Sequence, residues 1–301
     1  MFNKVLDKIN DNNVIKLQNK VNEINNNYPI SMFALLIWQY YDIDVYFKVE
    51  DDVVYLYSYS KNENQIYIFN PIYKNESIEN KISFYKKAIL NIKDFVCKSK
   101  YLNIMTFDSL DISIFNNCEL ISKFNASYIY PTEQLKLMSG KKMQKKRNFL
   151  NSFTKTYKQD CLMQIYEQSK LDDVLEFCKK HCYDRTTNEF RDFEFDSIKA
   201  ILSLNLDIGS GSILYYKNEI IGFTYGLKIN ENKYEIFIEK ADDSYKGSYQ
   251  YLLSSNLKNN NINTVYVDRQ DDMSDPNLEK SKKSYHPFQV WQLNHIKVKN
   301  V

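Results

Sequence analysis

Apolar positions recur with two periods along the chain, and the changes between them mark its elements. Spacings of three and four predict helices over residues 14–26 and 32–40. They also predict a long helix over 77–98, with Ile78, Ile82, Phe84/Tyr85, Ile89, Ile92 and Val96 on one face. Between the second and third helices, β-rich runs at 43–50, 53–60 and 65–69 read as a strand meander. Asp51-Asp52 forms one turn, and residues 61–64 a polar loop. A strand at 101–107, a short helix at 108–118 and a strand at 120–130 close the first half. The second half reads as helix 140–157, strand 162–166 and helices 172–183 and 193–206. Strands 212–217, 220–229 and 233–241 follow, then helix 247–257, strand 263–267, helix 276–284 and strand 288–297. Each half runs helix, three-strand meander, helix, strand, helix, strand. This predicts a mixed α/β (α+β) chain of two related sheets flanked by helices, divided as 1–130 and 131–301.

The length of 301 residues suits two domains, and 44% hydrophobic residues supply a core for each. No run approaches the roughly 20 apolar residues that cross a bilayer. The N-terminus has no signal-peptide pattern. The five cysteines are odd in number and irregularly spaced, as in a reducing compartment. A cytoplasmic protein without a transmembrane segment is expected. Cys178, His181 and Cys182 share a helix face, but no second ligand pair accompanies them, so no metal site is expected.

Net charge is only +2, yet Lys136, Lys141, Lys142, Lys145, Lys146, Arg147, Lys155 and Lys158 fall between Gln134 and Gln159 with no acidic residue among them. On a helix, Lys141/Lys145 and Lys142/Lys146 are i,i+4 neighbours. With Arg147 they form a positive stripe for an anionic partner, either tRNA phosphates or an anionic phospholipid surface. At roughly 1 kcal/mol per Lys near an anionic leaflet, the stripe gives reversible attachment to the inner face of the membrane.

Glycine sharpens the contrast between the halves. None occurs from Met1 to Ser139, and all six fall later. A loop that wraps phosphate needs glycine for close backbone approach, so the donor is expected in the second half and the first shapes the acceptor. The strongest local signal is Glu239 to Gln250, where a strand runs through a polar loop to Gly247 at a helix start. Lys246, Gly247, Ser248 and Tyr249 are the candidate donor-binding residues at that anion-attracting end. Strand alternation places Glu235, Phe237 and Glu239 on one face.

Here the sequence resembles known families. The 239–250 segment looks like the coenzyme A loop of GNAT acyltransferases, Q/R-x-x-G-x-G/A, with Ser244, Gly247 and Tyr249 in its key places. Three blocks resemble the C-terminal catalytic region of phosphatidylglycerol lysyltransferases. They are Gly140 to Asn148, Glu239 to Gln250, and Asp268-Arg269-Gln270-Asp271-Asp272 with Lys280 to Pro287. A glycine expected shortly after Asp272 is replaced by Met273-Ser274-Asp275. The resemblance implies two GNAT-like domains in tandem, in a stand-alone form without the family's membrane-spanning portion. It further implies transfer of an aminoacyl group from a charged tRNA to a lipid headgroup or other small acceptor. Such a transfer from an ester needs a base, an oxyanion stabiliser and an acid for the leaving group. Glu239, beside the candidate anion loop, is the candidate base and Arg269, after the next strand, the anion-binding cation. Tyr285 stands where GNAT enzymes often place the phenol that protonates the leaving group, and the resemblance makes it the candidate acid. No cofactor is permanently bound, and the donor is an aminoacyl-tRNA or an acyl-CoA. A coenzyme A-dependent N-acetyltransferase and a non-catalytic RNA- or membrane-binding protein of the same fold remain open at this stage.

Overall fold

The computed structural model describes residues 5–74, 78–96, 100–108, 114–115, 118–185 and 190–299. The first half contains β1 (Asp7–Lys8), α1 (Val14–Ile24), α2 (Met32–Trp38), β2 (Ile43–Glu50), β3 (Val53–Ser60), β4 (Gln65–Phe69), α3 (Ile78–Asn91), α4 (Lys93–Val96) and β5 (Tyr101–Thr106). The long strand β6 (Cys118–Pro131) leads onward to α5 (Thr132–Leu137), α6 (Gln144–Tyr157), β7 (Cys161–Ile165), α7 (Leu171–Arg185) and α8 (Arg191–Ser203). Then come β8 (Gly209–Tyr216), β9 (Glu219–Lys228), β10 (Lys233–Ala241), α9 (Ser248–Asn259), β11 (Tyr266–Asp268), α10 (Pro276–Lys283) and β12 (Gln289–Lys299).

Two compact units result, one of residues 1–126 with 291–301, the other of residues 127–290. In the first, β2, β3 and β4 form an antiparallel meander, β5 runs parallel to β4, and β12 pairs antiparallel with β5 through Asn294–Lys299. In the second, β8, β9 and β10 form the meander, β11 runs parallel to β10, and β6 pairs antiparallel with β11 through Ile129–Pro131. A helix links meander to parallel strand in both. The fold is therefore mixed α/β, with two units of the same plan in tandem. The strand that ends each half of the sequence completes the other unit's sheet, which puts 291–299 of the last strand with the first unit.

The meander of the first half matches its hydrophobic pattern residue for residue, and the Asp51-Asp52 turn has positive φ at both positions (51° and 58°), as a two-residue hairpin requires. The long helix expected at 77–98 is broken at Ile92 into α3 and α4. Most of the expected short helix at 108–118 lies outside the described residues. The periodic reading also missed α5, a helix of six residues, and β1, a strand of two.

The basic segment departs further from expectation. The helix starts at Gln144, so Lys141 and Lys142 lie in the turn before it and the i,i+4 stripe does not form. Positive φ at Met138 (46°) and Gly140 (86°) reverses the chain between α5 and α6. Arg147 fastens that reversal, donating from Nη1 to the carbonyls of Met138 (2.8 Å) and Gly140 (3.1 Å).

Candidate functional site

The sequence candidates Glu239, Arg269 and Tyr285 converge in the second unit, near the carboxyl ends of the parallel strands β10 and β11. A bulge makes this possible. The β9 pairing slips between Ile236 and Ile238, which reverses the alternation of every later side chain. Tyr234 and Ile236 pack with Leu253 and Leu257 of α9. Beyond the bulge it is Ala241 that packs with Leu252 of α9. Glu239 shares that face and Glu235 does not. The expectation of Glu235, Phe237 and Glu239 on one face fails for this reason.

Arg269 leaves the end of β11 and Nη2 donates to Glu239 Oε1 at 2.6 Å, with the two side chains only 10% and 11% exposed. Its guanidinium lies 4.5 Å from the Tyr285 ring centroid and 5.7 Å from that of Tyr130. Burial works against the charge of Arg269, but Glu239 and the two phenols outweigh it and hold the group above its ordinary value. Tyr285 is buried, and Gln250 of α9 donates from Nε2 to its hydroxyl at 2.6 Å. Burial pushes the phenol up to about 12. Its oxygen thus accepts from Gln250 while its own hydrogen remains available for donation.

The loop carrying Arg269 is tied down by α10. Buried Lys282 donates from Nζ to the carbonyls of Arg269 and Asp271, and its own carbonyl accepts from the Tyr130 hydroxyl at 2.9 Å. Burial, with the nearby Arg269 guanidinium, lowers this amine to about 8 against the pull of Asp271. Tyr128 Oη donates to Asp272 Oδ2 at 2.6 Å. Opposite the site, Gln270 turns through positive φ (55°), its main-chain N–H donating to Asp268 and its side chain to Glu235.

Lys146 is the one residue of the basic segment that joins this group. Its Nζ lies 3.9 Å from the Tyr285 ring centroid. Burial first, then Arg269 and Lys145, bring the amine down to about 8. Lys141, Lys142 and Lys145 are exposed.

A buried guanidinium–carboxylate pair, a phenol and an amine therefore meet beyond the end of a parallel strand pair. The family described as "Phosphatidylglycerol lysyltransferase, C-terminal" matches residues 25–292. The chain belongs to this family. An uncharacterized protein of Mycoplasmoides gallisepticum is 29% identical over 314 residues, covering 97% of this chain and 99% of its own. A conserved protein of unknown function from Bacteroides thetaiotaomicron has a similar fold, with a TM-score of 0.81 at 22% identity, over 98% of this chain and 99% of that one. The C-terminal domain of a protein described as a lysylphosphatidylglycerol synthetase from Agrobacterium fabrum also resembles it, with a TM-score of 0.58 at 12% identity over 95% and 92% of the two chains. The family points to an acyltransferase of the lysylphosphatidylglycerol-synthase type. No helix among the described residues is long and apolar enough to cross a membrane.

The predicted donor loop takes a different part. Gly247 has φ of 93° and begins α9 without a side-chain cap, so the helix end offers main-chain donors. Lys246 is exposed beside the Phe149 ring (5.8 Å), and Ser248 is buried, donating from Oγ to the Asp242 carbonyl. Tyr249 points away from Arg269, its hydroxyl 3.3 Å from His181 Nε2 on α7. His181 also lies against the Ala241 carbonyl (3.2 Å).

Sequence reasoning thus found Glu239, Arg269 and Tyr285 but missed Lys282, Gln250 and Tyr130, and it put Lys146 on a solvent-facing stripe. Lys282 was visible within the third block, as one lysine in a basic run. Nothing in the spacing distinguished the buried one.

Proposed function

We propose that this chain is an aminoacyltransferase that moves an aminoacyl group from a charged tRNA to a hydroxyl or amine of a small acceptor, a lipid headgroup foremost, at the periphery of the inner membrane face. The observation that carries the reading is the Arg269–Glu239–Tyr285 group in a chain of this family. Arg269, oriented by Glu239, supplies a fixed positive charge where the tetrahedral oxyanion develops. Tyr285, its oxygen held by Gln250, gives a proton to the departing oxygen. Because Glu239 Oε1 is engaged by Arg269, the carboxylate acts here as the guanidinium's orienting partner. Exposed Lys141, Lys142 and Lys145 would meet tRNA phosphates or an anionic leaflet.

A second reading, coenzyme A-dependent N-acetylation, draws on the uncapped start of α9 after Gly247. Tyr249 occupies the place where a second small residue would allow the pyrophosphate to approach, which favours the tRNA donor.

Binding to total tRNA, at about 50 and about 200 mM salt, and separately to coenzyme A decides between them. Tight, salt-sensitive tRNA binding without micromolar coenzyme A binding is the expected outcome, followed by transfer from charged tRNA. The converse pattern would replace the proposal with the acetyltransferase. Salt-sensitive binding with no transfer from any charged tRNA would leave a non-catalytic RNA-binding protein of this fold.

A further inference from the structure

We infer that Lys146 is the proton acceptor of the transfer, taking the proton from the acceptor's hydroxyl or amine as that group attacks. The inference rests on the acyl-transfer reading above and adds to it the residue that activates the nucleophile.

A transfer centre of this kind needs a group that can receive a proton, and the carboxylate expected to do so is held by Arg269. Lys146 is placed to take over. It sits in the first turn of α6, half-buried, while the neighbouring basic residues either face solvent or, like Arg147, fasten the turn before the helix. Its amine rests 3.9 Å over the ring of Tyr285, and the same ring carries the Arg269 guanidinium at 4.5 Å. The charged and titratable groups facing it are Lys145 on its own helix, Glu239 on β10, Arg269 after β11, and Tyr285 after α10. Two of these are cations and the carboxylate is already paired, so the surroundings favour the neutral amine. Its ionisation near pH 8 agrees with that placement. At neutral pH, a minor but substantial fraction is then free base, the condition for general-base work. Half-burial leaves part of the side chain open to solvent.

The neutral amine takes the proton of the acceptor group while the acceptor's oxygen or nitrogen bonds to the carbonyl carbon of the aminoacyl ester. The oxyanion formed beside Arg269 collapses, and the ester C–O bond breaks. The departing ribose oxygen takes the Tyr285 proton, Tyr285 recovers a proton from solvent, and the Lys146 ammonium returns one to solvent. Both side chains return to their starting states.

The test compares the wild type with Lys146→Met and Lys146→Arg, using total aminoacylated tRNA as donor and phosphatidylglycerol-containing vesicles as acceptor. The wild-type kcat/KM should rise with unit slope and level off above about pH 8. Lys146→Met should lose about 100-fold and flatten the profile. Lys146→Arg keeps the charge but cannot release a proton, so it should fail to restore the rate. Reductive methylation with ¹³C-formaldehyde should show a lysine titrating near pH 8 that is missing from Lys146→Met. Restoration by arginine, or a pH limb that survives in Lys146→Met, would overturn the inference alone. A wild type that transfers nothing from any charged tRNA would overturn the parent reading and this inference together.

Discussion

A methyl group on Gly247 would stand 2.2 Å from the Phe149 carbonyl oxygen, in a backbone conformation of φ 93° that side chains disfavour. The glycine that looked like a phosphate-loop signature is thus required by the close approach of α6 to the start of α9. Sequence alone could not separate these two reasons. The reverse case lies after Asp272. The glycine missing there has left its conformation behind, with Met273 at φ 50° and Ser274 at φ 56°. Each left-handed position costs about 1–2 kcal/mol in a residue with a Cβ. Met273 is 50% exposed, so no packing is lost by shortening it. Met273→Gly should raise stability by about 0.5–1 kcal/mol once the greater entropy of glycine in the unfolded chain is deducted. Thermal melting reads the change, and an unaltered or lower Tm would show that the side chain contributes more than its exposure indicates. At this scale, Glu239 and Arg269 stood out by their places at the ends of strands beside a candidate anion loop, and Tyr285 by its place in the resemblance to GNAT enzymes. Gln250, Tyr130, Lys282 and the inward turn of Lys146 did not, because each reaches the site from a different part of the chain through contacts that no spacing rule describes.

Among the elements, α10 has the clearest local instructions. Asp275 accepts from the main-chain N–H groups of Asn277 (2.7 Å) and Leu278 (3.3 Å), Pro276 occupies the first turn, and lysines fill the last. The helix was accordingly predicted to within one residue. It also positions chemistry, since Lys282 clamps the Arg269 loop and the chain emerges from it at Tyr285. Asp275→Ala should cost about 1 kcal/mol in chemical denaturation, and hydrogen exchange should quicken at the first turn of α10. Unchanged exchange there would mean that tertiary contacts alone hold the helix. α6 shows the opposite. Its charge pattern continued smoothly from Lys141, but the helix waits for Gln144 because Met138 and Gly140 turn the chain, and Arg147 is used to fix that turn. In β10 a single extra residue moved Glu239 to the face of α9, and alternation cannot announce its own interruption.

At the scale of the whole molecule, the exchange of final strands ties the fold of each unit to the other half of the sequence. Ile296 and Val298 of β12 are buried in the core of the first unit, against residues such as Ile104 and Leu102. Six consecutive pairs join Asn294–Lys299 to β5. Ending the chain after Val290 would strip β5 of this neighbour and remove both side chains, each worth about 1.5–3 kcal/mol when buried. The truncated protein should show fast amide exchange in β5 and a lower melting temperature for the first unit. Unchanged protection of β5 would show that the exchanged strand is dispensable. By itself, the sequence determined the element order, both meanders, the repeated plan of the two halves, the family, and three of the residues at the candidate site. These depend on local periodicity, turn chemistry and residue type. The tertiary structure alone decided which sheet each final strand completes, which face Glu239 occupies, and which lysine leaves the basic surface for Tyr285. Those outcomes depend on strand register, a bulge and burial, where groups distant in sequence compete for the same space.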